Sequence, residues 1–176
     1  MSEANRTTGD MTTTKIARGV LTGLVAGIAA SFAMDQFQAA AAALSSSDDG
    51  GDDDDQPEPA TQKAADAVAI ALVGRAIPDA DKALAGQAIH YALGIGLGVA
   101  YAVAAEFRPG VTGGYGLGFG IVTATLLDEA AVPATGLGEA PWKSDLSTTL
   151  YGYASHLVFG GTAELVRRQV RTTLMA

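Results

Sequence analysis

The stretch LYGYASHLVFGGTAELVRR, Leu150 to Arg168, decides how the chain is read. It is apolar enough to lie in lipid, yet it carries a histidine and an acid. Gly152, His156, Gly160 and Glu164 recur at every fourth position, so on a helix they form one slowly drifting row. Small residues in such a row admit a second backbone, and the polar groups among them then sit between helices instead of in hydrocarbon. Arg167, Arg168 and Arg171 close the segment.

Three further stretches share this character. Residues 15–44 open with Lys15 and Arg18 and continue as an apolar run from Gly19, interrupted only by Ser31, Asp35, Gln36 and Gln38. At ~1.5 Å per residue that run crosses a ~30 Å hydrocarbon core. It exceeds the ~7–15-residue apolar centre of a cleavable signal peptide, so an anchor is the better reading. Ala83–Phe107 is apolar apart from Gln87, His90 and Glu106, with Asp79 or Asp81 as helix caps before it. Arg108, Pro109 and Gly110 end it, and Gly113–Leu127 makes a glycine-rich third span that finishes at Asp128 and Glu129. Leu150–Arg168 is the fourth.

The remaining segments are polar. Residues 1–14 lack an apolar period and are expected to be a disordered tail. Residues 45–60, which include SSSDDGGDDDDQPEP, form an acidic disordered linker without the ligand spacing of a Ca²⁺ loop. Residues 61–77 read as a short amphipathic helix on the membrane surface or against the bundle, with Lys63, Asp66 and Arg75 as its charges. Val132–Ser147 carries Pro133, Gly136, Gly138, Pro141 and Trp142, a loop whose tryptophan suits the headgroup level. The expected fold is therefore all-α. It is a polytopic membrane protein with four transmembrane helices as two hairpins, residues 83–171 completing a single membrane domain.

Composition narrows function by exclusion. Of 176 residues, 48% are apolar and none is cysteine, which removes disulfides and thiolate metal sites. The formal charge of −8 and the lack of a basic face argue against nucleic-acid partners. The lipid bilayer is the expected partner, with a second copy or another membrane subunit as a candidate through the small-residue faces. Four spans place both termini on one side. Lys15, Arg18, Arg108, Arg167, Arg168 and Arg171 all fall there, so the positive-inside rule predicts a cytoplasmic (inner) membrane protein with cytoplasmic N and C termini.

An internal repeat is visible in the spans. GLVAGIAASFAMD (Gly23–Asp35) aligns with GLGFGIVTATLLD (Gly116–Asp128), and GQAIHYALG (Gly86–Gly94) with GYASHLVFG (Gly152–Gly160). A duplication would relate the two hairpins as a parallel repeat. Depth then sorts the polar residues. Asp35, His90, Asp128, Glu129 and His156 fall in the outer half as a candidate polar cluster. Glu106 and Glu164 fall near the inner ends, as salt bridges with Arg108, Arg167 and Arg168.

The outer cluster suits proton or ion handling, because an imidazole titrates near neutrality. The alternatives are hydrogen bonds that merely lock helices together and, less favoured, a metal site formed by Asp35, His90, Asp128 and His156, since imidazole and carboxylate also bind divalent metals. No cofactor is expected. No nucleophile–base–orienter set, P-loop or dinucleotide fingerprint is present, and no catalytic residues are assigned.

Three groups of residues resemble the YagU-like family of small bacterial inner-membrane proteins. They are His90-Tyr91 with Gly98, Tyr101 and Ala105-Glu106; Pro133 with Gly136-Leu137 and Pro141; and Ser155-His156-Leu157-Val158 with Glu164 and Arg167-Arg168. The resemblance covers about Ala83 to Arg168. It implies a multi-span inner-membrane protein connected to acid stress and brings no established catalytic residues.

Overall fold

A computed structural model describes residues 3–45 and 58–176 and contains helices and no strand among them. Helix α1 is Glu3–Ser45, α2 is Ala60–Val73 and α3 is Asp79–Phe107. A tight 3₁₀ segment, Pro109–Gly116, leads into α4, Leu117–Leu126. The chain continues through a π-helical turn, Leu127–Ala131, into a single turn α5, Val132–Ala134, then a 3₁₀ turn at Pro141–Lys143 and α6, Leu146–Met175.

Three segments are long and apolar enough to cross a membrane: Asp10–Ser45, Asp79–Phe107 and Pro109–Ala134. Their outer faces leave Leu21, Leu24, Ile28, Phe32, Leu93, Ile121 and Leu126 exposed, a surface suited to lipid tails. Helix α6 is as long but less apolar, because it turns Ser155, His156, Glu164 and Arg167 into the protein interior. Buried polar side chains need partners, and α6 finds them within itself, on Tyr101 of α3 and on Asp128 of the π turn.

Helix α1 packs between α3 and α6, α4 lies against α6, and α2 against α3. Glycine sets the closeness of α1 and α3. A Cβ added to Gly27 would stand 2.6 Å from the Gly94 carbonyl oxygen, and one on Gly23 would stand 2.6 Å from that of Gly98. Gly116 and Gly120 of the third span meet the backbone at Gly160 and His156 of α6 in the same way. Between these contacts lies the core, Ala30 and Met34 with Phe159 and Ala163, against which Leu97 and Phe119 pack. The Tyr101 and Phe119 rings stack at 4.3 Å beside it.

Several expectations change. The tail expected over 1–14 is helical from Glu3, so α1 has 43 residues and reaches ~65 Å, about twice a hydrocarbon core. Its residues Met11–Ala17 are exposed, which is why their polarity hid the helix. The linker at 45–60 lies almost entirely outside the described residues. Helix α2 stops at Val73, where Gly74 adopts a left-handed conformation (φ 73°) that caps it, short of the expected residue 77. It is also less two-sided than expected, with Val68, Ile70, Leu72 and Val73 exposed and only Ala65 buried. Neither Asp79 nor Asp81 caps α3; Pro78 precedes it, and Asp79 instead faces Lys82. Lys82 sits among Glu58 (3.1 Å), Asp79 (3.2 Å) and Asp66 (3.6 Å), tying α2 to the start of α3.

The third span differs most. It begins with three residues outside helical geometry, among them Gly114 and Tyr115 at positive φ, and its regular α-helix lasts only 10 residues. Pro133 lacks the N–H that an α-helix would direct to the Glu129 carbonyl, and the backbone widens into the π turn there. That turn carries Asp128 and Glu129. Trp142 in the following loop is 84% exposed.

Candidate functional site

Because α1 and α3 are antiparallel, Asp35 and His90 meet at one end of the bundle and Arg18 and Glu106 at the other, ~26 Å apart along α1. The predicted outer group resolves into two pairs. His90 Nε2 lies 3.2 Å from Asp35 Oδ1 without hydrogen-bond alignment, while Gln87 donates to the second oxygen, Oδ2, at 2.7 Å. On α6 His156 Nδ1 lies 3.0 Å from the Gly152 carbonyl oxygen and 3.3 Å from Asp128 Oδ2 of the π turn. As a donor to both, that nitrogen leaves Nε2 for another partner. Each pair thus joins one carboxylate and one imidazole across a helix contact made close by glycine.

Both pairs, with Glu129, line one cavity of about 930 Å³. Helices α2, α3 and α6, the outer end of α1, the π turn and the Val132–Ser147 loop surround it. Its floor includes Met34, Leu97 and Phe159, part of the apolar core. The five residues of the expected cluster therefore share a space. They do not share a ligand set, since among the described residues no three His, Cys, Asp or Glu side chains gather to hold a metal ion. The two hydrogen-bonding groups that residue type alone did not single out are Gln87, three residues before His90 on the same helix face, and Ser155. The Ser155 side chain is fully buried at the cavity wall, with the Tyr151 hydroxyl as its polar neighbour.

The inner end is built otherwise. Glu164, 1% exposed, accepts from Arg167 Nε (2.7 Å) and Nη2 (2.9 Å), from Arg168 Nε (2.5 Å) and from the Tyr101 hydroxyl (2.8 Å). The expected pairing of Glu164 with Arg167 and Arg168 is present. That of Glu106 with Arg108 is not. Arg108 ends α3 in extended geometry with its side chain exposed, and Glu106 instead accepts from Arg18 of α1 and from Arg171 Nε of α6 at 2.7 Å. Residues two apart on a helix project to different sides, so Arg108 does not face Glu106, whereas neighbouring helices bring Arg18 and Arg171 directly alongside. Arg168 also covers the Tyr115 ring at 4.9 Å.

The two ends can do different chemistry. A carboxylate surrounded by guanidinium groups has its lone pairs occupied and its charge matched. A carboxylate beside one imidazole, facing open space, can exchange a proton or meet a cation. Comparison with known proteins adds no assignment: the chain matches no family model, no curated protein and no solved structure.

Proposed function

We propose that this chain is an integral inner-membrane protein that handles protons or small ions through the Asp35–His90 and Asp128–His156 pairs. The supporting observation is that both pairs line one cavity and neither is saturated by protein partners. In this reading α6 is the fourth span, its polar side chains turned inward, and the chain forms two hairpins, α1 with α3 and α4 with α6. The matching Asp–His pairs and glycine contacts of the two hairpins support a duplicated origin. The arginines beside Glu106 and Glu164 support a cytoplasmic inner end and cytoplasmic termini, and the exposed Trp142 an outer interface. The YagU-like resemblance adds a role in envelope or acid-stress physiology.

The test is proton flux into proteoliposomes driven by a pH step and read by an enclosed dye. The wild-type protein should carry flux above empty vesicles, and Asp128→Asn should lose most of it. Wild-type flux equal to empty vesicles would refute the reading. A structural or partner-binding subunit is the second reading, favoured by the saturated Glu164 site; it predicts no flux and a stable complex with another chain.

A further inference from the structure

The outer cavity has a composition that a proton pathway alone does not require. Among the described residues four carboxylates line it, Asp35, Asp128, Glu129 and Glu139, and no lysine or arginine does. Only two of the four face a histidine. Glu129 and Glu139 have no salt-bridge partner among the described residues. Most of the remaining wall is aliphatic or aromatic and includes Tyr151, itself 40% exposed and stacked with Phe37 at 6.1 Å. At about 930 Å³ the space falls within the ~300–1,000 Å³ of small-molecule sites and far exceeds what a bare ion occupies.

These features select a ligand class. An anion would meet four carboxylates without a counter-charge. A bare metal ion needs three or more converging ligands, which the described residues do not offer. A neutral apolar molecule would leave the acids uncompensated beside an apolar wall. A cation whose charge is carried on an apolar body matches both the dispersed carboxylates and the walls between them, and an aromatic ring such as Tyr151 adds attraction for it. Behind the wall the Ser155 hydroxyl is fully buried, with the Tyr151 hydroxyl as its polar neighbour, so the ring that would meet the cation is itself held from the α6 side.

We propose that the outer cavity is a binding site for amphipathic organic cations. The proposal rests on the preceding reading only in taking this cavity as the working site. The experiment is equilibrium binding to the purified full-length protein in detergent, comparing tetraphenylphosphonium with tetraphenylborate, which has the same shape and the opposite charge. Tetraphenylphosphonium should bind saturably, at least about tenfold tighter than tetraphenylborate, and weaken by about tenfold in Asp128→Asn and in the double variant Glu129→Gln/Glu139→Gln. The double variant alters unpaired side chains at the cavity rim, so it stays informative if Asp128→Asn folds poorly. Equal binding of the two ions, or phosphonium binding indifferent to the double variant, would overturn the proposal. Proton flux without charge-selective binding would overturn it and leave the proton reading standing; selective binding without flux would do the reverse.

Discussion

The two ends of this bundle put the same chemical group, a carboxylate, to opposite uses. At the end near Arg18, Glu106 and Glu164 are each held by two arginines, and Glu164 also by Tyr101. At the other end Asp35 has one imidazole and the Gln87 amide, Asp128 has one imidazole, and both face a cavity. Burial of a carboxylate is tolerable when guanidinium groups surround it, and the result is a rigid clamp joining α1, α3 and α6. An acid with no guanidinium neighbour and open space beside it is less anchored and chemically available. The division between clamp and site therefore follows from whether guanidinium groups surround the acid, not from the acid itself.

The largest way to break that contrast is at the clamp. Replacing Glu164 by leucine leaves Arg167, 7% exposed, without its anion, and should cost about 3–5 kcal/mol, seen as a large drop in thermal midpoint in detergent. A loss no greater than that of an outer-acid variant would erase the distinction. Next in size is the helix contact that positions Asp35 against His90. Gly27→Val forces a Cβ to 2.6 Å from the Gly94 carbonyl oxygen and should cost about 1–3 kcal/mol. Gly96→Ala, on the same helix as Gly94 but with nothing within 4 Å, should leave the midpoint unchanged or slightly raised. Smallest in stability are Asp35→Asn and Asp128→Asn. Their side chains are 25% and 40% exposed, and each should shift unfolding by less than about 1 kcal/mol.

Much of this arrangement is legible in the sequence because four-residue rows fix which residues share a helix face. The row through Gly23, Gly27 and Asp35 does face the row through His90, Gly94 and Gly98, and Asp128 does meet His156. Spacing cannot say which helix neighbours which at the inner end. Hence Glu106 was expected beside Arg108, its near neighbour in sequence, when its partners Arg18 and Arg171 are 88 and 65 positions away. Nor does a four-residue row register the π turn, because the widening depends on a proline four residues after Glu129. The helical start of α1 was hidden for a different reason: residues exposed all round leave no apolar period to read.

The comparison between clamp and site is tested most directly by proton flux per folded molecule in proteoliposomes, measured side by side for Asp35→Asn, Asp128→Asn and Arg171→Gln. Arg171 is partly exposed and leaves Glu106 its second arginine, so that variant weakens the clamp without removing it. The account predicts that both outer variants lose most of their flux while remaining folded, and that Arg171→Gln keeps its flux while unfolding at a lower temperature. Flux that survives in both outer variants, or falls in all three in proportion to lost stability, would contradict it.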